Sequence, residues 1–391
     1  MRLLWVLSAF LCLGSPAAAQ VACGGDFRDF TAKMQAEAVR QGHDPARAQA
    51  FFSGVSRDAA VIRADRAQGI FQRPFSDFAR RLISQSRLQN ARRNAQRYDA
   101  VFDRIESQWG LSRGVLLAFW AFETDFGAVQ GNFNTVNALM TLAHDCRRPD
   151  LFRPQVFSAL ELFERGDLNP RETTGAWAGE IGMVQMLPGD IIEHGVDGDG
   201  DGRVRLKTSP VDALMSGGKL LSSLGWRKGE PWMTEVSVPR DMDWSLSGLD
   251  TRLPVSQWTQ LGVASRGGAL APAALPASLL LPQGRNGPAF LVYPNFEVFF
   301  EWNQSFVYVL TAAYFGTRIE GGPVFNAGNP SAPLSENQMK ALQTKLTSRG
   351  HDVGGIDGIL GRMTRSAVQK EQKRLGLPAD AWPTVQLLNS L

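Results

Sequence analysis

The chain has 391 residues, more than one compact core usually organises, so a large domain with at least one smaller companion is expected. Its 41 Lys and Arg against 38 Asp and Glu leave a formal charge of +3, which gives no electrostatic case for nucleic acid and singles out no other partner.

Residues 1–19 carry Arg2, an apolar run from Leu3 to Leu13 and the small residues Ala17, Ala18 and Ala19. This pattern predicts a secretory signal peptide cleaved after Ala19, and therefore a periplasmic protein. The run is too short to span a bilayer, and no later stretch reaches the necessary length, so the mature form is expected to have no integral membrane segment. Lipidation is not expected, because Cys23 follows Gln20-Val21-Ala22 without the Leu that a lipid-anchor signal places three residues before its Cys. Cys12 leaves with the leader. The remaining Cys23 and Cys146 invite a disulfide in an oxidising compartment, the alternative being two buried free thiols.

From Phe27 to about Gln108 the pattern is helical: Phe27, Phe30, Met34 and Ala38 share one face, Asp44-Pro45 reads as a cap and first turn, and Leu82 to Ile105 continues the period. Between Val236 and Tyr293 short apolar stretches, including Leu279 to Leu281 and Phe290 to Tyr293, are broken by Gly, Pro and Ser, which predicts a small strand-containing subdomain. One helix is then expected from Glu297 to Phe315. Residues 323–333 are poor in core-forming residues and read as a linker between a domain spanning 20–322 and a separate module over 334–391.

The chemistry concentrates in WGLSRGVLLAFWAFETDFG, residues 109–127. Val115 to Phe122 are almost continuously apolar, which indicates a helix buried on most of its surface, and Glu123 is its first carboxylate. A carboxyl group in such surroundings is desolvated and keeps its proton near neutral pH, as a general acid for a glycosidic oxygen requires. The plainer reading is a helix-end glutamate satisfied by backbone or a basic neighbour. Most glycosidases need a second carboxylate. Asp125 is offset by about 200° around the helix, which suits local pairing, whereas Glu180 is a more distant candidate. A single glutamate suffices if the substrate supplies its own nucleophile, as N-acetylmuramic acid can through its C6 hydroxyl.

Four motifs in one order resemble the membrane-bound lytic murein transglycosylase B family: the ETDFG ending at residues 123–127, NALMTLAHDCRRPDLF at 137–152, AGEIGMVQMLPGDI at 178–191 and VYPNFEVFFEWNQS at 292–305. The resemblance implies a predominantly α-helical α+β protein: a lysozyme-like catalytic domain with a small β-containing subdomain, followed by a small three-helix module. It also implies cleavage of the β-1,4 bond between N-acetylmuramic acid and N-acetylglucosamine with a 1,6-anhydro product. Glu123 then matches the catalytic acid, Gln185 and Asn303 match polar residues of the sugar cleft, and Trp302 and Tyr293 match aromatic positions beside it. Core packing is the alternative for Trp302. Gly189-Asp190 stands where the family often has Ser after the Pro, which removes a serine from the vicinity of the acid.

Asp197, Asp199 and Asp201 have the spacing of an EF-hand loop with Gly202 at the turn, but the twelfth position is Thr208 rather than Glu. The family closes a longer loop with a later Asp, here Asp212, so a structural calcium is weighed against a solvated acidic turn; no cofactor is required for the chemistry. The C-terminal stretch resembles a peptidoglycan-binding module through Leu342-Gln343, Asp357-Gly358, Gly361, Thr364, Ala367-Val368 and Gly376-Leu377, with Glu371 replacing an aromatic residue. The expected partners are peptidoglycan glycan strands, with cell-wall synthesis proteins as further candidates. Two other readings are a muramidase in which Glu180 or Asp190 holds a hydrolytic water, and a wall-binding scaffold without catalysis.

Overall fold

The computed structural model describes residues 22–67 and 72–391; the proposed leader, residues 1–19, lies outside them. Helices dominate, as expected, and their boundaries follow local chemistry. Asp26 accepts the Arg28 and Asp29 backbone N–H groups to start Phe27–Arg40, and Asp44 accepts Arg47 N–H to start Pro45–Phe52, with Pro45 in the first turn where its missing N–H costs nothing. Phe30, Met34 and Ala38 do form one buried face. It packs with Phe51 against Leu139 and Met140 of Thr135–His144 and Phe152 and Val156 of Pro149–Arg165. The disulfide Cys23–Cys146, with Cα atoms 5.3 Å apart, fastens the first helix to the segment between these two.

The second and larger core surrounds Arg113–Thr124. Residues Val115 to Ala121 are all at most 2% exposed, and truncating one of the aromatic side chains there would cost on the order of 3 kcal/mol or more. Phe306–Ile319 lies directly across this helix. The two backbones meet at Gly114 and Gly316, where a methyl group on Gly114 would stand 2.7 Å from the Gly316 carbonyl oxygen, so glycine is what permits the approach.

The continuous helix expected over Glu297 to Phe315 is two helices, Pro294–Trp302 and Phe306–Ile319. Asn303 is extended, at φ −148° and ψ 130°, and its Oδ1 accepts the Ser305 N–H, after which Ser305 caps the second helix. Similarly, Leu82 to Ile105 divides at Tyr98 into Gln85–Arg97 and Asp99–Trp109. Apolar residues continue through both breaks: Leu88 and Ala91 are followed by Phe102 and Ile105, and Phe299 and Phe300 by a helix buried on most of its surface. The predicted subdomain is a five-stranded antiparallel sheet in the order Leu253–Pro254, Pro276–Leu280, Phe290–Val292, Met233–Ser237, Ala264–Ser265, with Trp258, Leu279, Leu291 and Tyr293 in its core.

Residues 334–391 hold three helices, Glu336–Ser348, Arg362–Arg374 and Val385–Ser390, around Leu342, Leu346, Val368 and Leu387. This module is docked on the larger domain. The Arg365 guanidinium carbon lies 4.4 Å above the Phe306 ring while Nη2 donates to the Pro282 carbonyl at 2.7 Å, and Gln369 Nε2 donates to the Ser247 carbonyl at 2.7 Å. The segment read as a linker contains no helix or strand, yet it is fixed: Phe325 packs on Phe75 and Tyr314 at ring distances of 5.1 and 5.0 Å, and Asn326 N–H donates to Glu235. A single aromatic residue in a polar stretch thus outweighs its composition. Glu371, standing in place of an aromatic residue, is buried and satisfied by His351 Nε2 at 2.8 Å and by the Arg374 guanidinium. Among the described residues no helix is long and apolar enough to cross a membrane.

Candidate active site

Glu123 occupies the last turn of Arg113–Thr124, after which Asp125, Phe126 and Gly127 all take positive φ, at 50°, 62° and 87°. This sharp exit turns the chain away and leaves the Glu123 side chain at the helix end. Asp125 is exposed, just past the helix end, and its Oδ1 accepts Arg87 Nε at 3.0 Å from the separate helix Gln85–Arg97, so its partner is not local in sequence. Thr124 Oγ1 donates to the Met183 carbonyl at 2.6 Å, so the acid-bearing helix is bolted to the turn that carries Gln185.

Two donors converge on Glu123. Trp302 Nε1–H donates to Oε1 at 3.0 Å, and the Tyr308 hydroxyl donates to the same oxygen. Trp302 therefore combines both readings of it: its ring stacks on Phe119 at 4.5 Å while its edge holds the carboxyl. Burial pushes the Glu123 pKa upward, only partly opposed by the Tyr308 and Trp302 hydrogen bonds. Tyr308 is itself raised well above its usual value by burial and by the Glu123 charge and bond, so it stays a donor throughout the working range. Both donors lie on Oε1.

Glu180 shares this environment. Its carboxyl is pushed up to about 7, first by burial and further by the nearby Glu123 charge, and its Oε2 is buried without a hydrogen-bond partner. Asp190 is also raised by burial, in the first turn of Pro188–His194, but its charged neighbours are His194 and Glu193 rather than Glu123. Gln185 adopts φ 54° and its Nε2 donates to the Gly182 carbonyl at 2.6 Å, and Asn303 sits in the break immediately after Trp302. Tyr293 is placed differently: it is 2% exposed in the sheet subdomain, with its hydroxyl on Thr234 Oγ1 at 3.0 Å, and makes no hydrogen bond with Glu123. The residue that sequence reasoning passed over is Tyr308. Its signal was a phenol within the apolar run Phe306 to Leu310, since a buried hydroxyl demands a partner.

In the acidic loop, Asp197, Asp199 and Asp212 each bring an oxygen within 4.8 Å of the others. Asp212 is fully buried, accepting the Gly198 and Arg205 N–H groups at 2.9 and 2.7 Å. Asp201 stands outside the cluster, because Arg205, four residues on, takes its Oδ2 and Arg203 N–H takes its Oδ1.

Comparison with known proteins places the chain in a family. The profile of the transglycosylase SLT domain matches residues 26–317, and that of a peptidoglycan binding domain matches residues 335–391. Membrane-bound lytic murein transglycosylase B of Escherichia coli is 24% identical over 312 residues, covering 76% of this chain and 84% of that protein. The crystal structure of SltB3 from Pseudomonas aeruginosa in complex with NAG-anhNAM-pentapeptide aligns at 34% identity and a TM-score of 0.85, over 94% of this chain and 99% of that one. The Escherichia coli lytic transglycosylase Slt35 in complex with calcium shares the fold at 23% identity and a TM-score of 0.65, over 79% of this chain and 98% of that one.

Tyr308→Phe removes a donor that favours the carboxylate, so Glu123 should hold its proton to higher pH. The basic limb of the pH–rate profile should move upward while the maximal rate falls; a limb that moved downward would contradict the assigned bond. The match over most of the chain and the acid held by Trp302 and Tyr308 lead to one assignment: the chain belongs to the transglycosylase SLT family of lytic transglycosylases that act on peptidoglycan.

Proposed function

We propose that Glu123 alone performs the proton transfers of glycan cleavage. Its protonated Oε2 gives a proton to the oxygen leaving as O4 of N-acetylglucosamine, and the C1–O bond of N-acetylmuramic acid breaks. The resulting carboxylate takes the proton of the muramoyl C6 hydroxyl, whose oxygen bonds to C1 and closes the 1,6-anhydro ring. The acid is thereby regenerated, and no water is consumed. The observation that carries this reading is a desolvated carboxyl whose two protein donors both occupy Oε1. The anhydro-muramoyl ligand held by the Pseudomonas aeruginosa relative supports the same product here. Gln185 and Asn303, on the turn and the helix break that flank the acid, are the polar groups assigned to the sugars. Tyr293 would serve the cleft indirectly, by fixing the start of Pro294–Trp302.

The leader pattern and the Cys23–Cys146 disulfide support export to the periplasm. The C-terminal module supports docking on the wall, with the polymer held close to the cleft by the fixed seam around Arg365. Glu123→Gln preserves shape but has no proton to give, so release of muropeptides from purified sacculi should fall by about three orders of magnitude or more while sacculus binding persists. Mass spectrometry of the wild-type products should give anhydro ends; reducing ends would favour the hydrolysing alternative, and an active Glu123→Gln variant would remove the assignment.

Calcium is proposed as a structural ion held by Asp197, Asp199 and Asp212. The set offers only hard carboxylate oxygens, and backbone N–H groups led by that of Gly202 hold Asp197 below its usual pKa and so ionised. A bound ion would neutralise three converging negative charges and tie the loop to Pro210–Ser223. Calcium should raise the melting temperature, and Asp212→Asn should abolish that rise. An equal melting temperature in chelator and in calcium would return the loop to a solvated turn.

A further inference from the structure

The C-terminal module touches both helices that carry the donors to Glu123, and it does so from a single helix, Arg362–Arg374. Arg362 Nη1 lies 3.6 Å from Oε2 of Glu297, in the first turn of the helix that ends in Trp302. Three residues on, the Arg365 guanidinium carbon lies 4.4 Å above Phe306, the first residue of the helix that carries Tyr308, and 5.9 Å from the ring of Trp382 in the module itself. Phe306 also forms the corner between the two donor helices. Its ring centre is 6.4 Å from that of Phe300, which in turn meets Phe296 at 5.7 Å. The corner is therefore packed by the catalytic domain on one side and by the module on the other.

The two contacts differ in weight. The Arg362–Glu297 pair is partly exposed and shares its carboxylate with Arg252 at 2.8 Å, so it contributes little by itself. Arg365 is turned inward: Nη2 donates to the Pro282 carbonyl at 2.7 Å, while Nε is buried without a hydrogen-bond partner. An unpaired buried donor is costly, and the contact with Phe306 is what the chain gains in its place. A cation that served only to attract anionic groups of the wall would face solvent instead.

We propose that Arg365 is a positioning residue for the reaction: through Phe306 it fixes the corner that aims Trp302 and Tyr308 at Glu123. The inference rests on Glu123 being the acid, and it goes beyond wall attachment, because it makes the module part of the acid's surroundings even for a substrate that does not engage the module. A hydrogen bond weakens steeply as its geometry departs from ideal, so a small change in the angle between the donor helices is enough to loosen both bonds.

The test uses the full chain on soluble glycan strands, where attachment to insoluble wall does not enter. Arg365→Met keeps the length of the stem and removes the guanidinium. The maximal rate should fall roughly tenfold, and the basic limb of the pH–rate profile should move to higher pH, as expected for Tyr308→Phe, because donors that favour the carboxylate are loosened. Combined with Tyr308→Phe, the two limb shifts should add to less than their sum. Full additivity would mean that Arg365 acts by its charge alone, and an unmoved limb would reduce it to a structural or wall-binding role; either overturns the proposal. If Arg365→Met does not fold, Arg365→Lys, which keeps the cation but loses the planar group over the ring, should give a smaller shift with the same shortfall from additivity, and the same two outcomes overturn it. Failure of the underlying reading appears separately, as activity in Glu123→Gln.

Discussion

A carboxyl group kept out of water is the constraint on which the rest of the structure depends. Leaving a carboxylate desolvated is costly; here burial raises the Glu123 pKa, and no cation is bonded to it among the described residues. Arg87, on the neighbouring helix Gln85–Arg97, pairs with Asp125, two residues beyond Glu123. Among the described residues, the donors that reach Glu123 are neutral, the Trp302 indole and the Tyr308 phenol. A cation in either place would lower the pKa and abolish the acid; a neutral donor orients the group and leaves its proton transferable.

This arrangement requires three chain segments to meet at the end of one helix. The Gly114–Gly316 contact brings Phe306–Ile319 close enough for Tyr308 to reach the carboxyl, and the break at Asn303 to Ser305 lets Trp302 approach from another direction. A straight helix through residue 303 would place Trp302 and Tyr308 six residues apart on one cylinder, about 240° around it, unable to converge on one oxygen. The docked module contributes at a distance: Arg365 covers Phe306, the first residue of the helix that carries Tyr308. The C-terminal module and the Tyr308 donor thus meet on one helix.

The parts of this account legible in the sequence were those with local signatures. The apolar run ending in Glu123, the pair of cysteines, the helical face of Phe30, Met34 and Ala38 and the strand-containing segment before Tyr293 each follow from residues adjacent along the chain. Relations between distant segments were not legible. Tyr308 lies 185 positions from the oxygen it serves, and within its own helix it resembles any other core aromatic residue. The break after Trp302 was hidden because apolar residues dominate both flanking helices, the second being buried on most of its surface. The polar composition of residues 323–333 concealed the anchoring of Phe325, and regular acidic spacing promised Asp201 to a cation that Arg205 replaces as its partner. In each case a pairwise contact decided what composition and period left open.

The central claim is the protonation of Glu123 in the resting enzyme. Infrared difference spectroscopy between the wild-type protein and Glu123→Gln, followed as pH is raised through neutrality, reports it directly through the carboxylic acid carbonyl band. That band should give way to carboxylate absorption at a higher pH than for an ordinary exposed glutamate, whose value lies near 4.3, because burial raises the group. A band that gave way at or below the ordinary glutamate value would contradict the account.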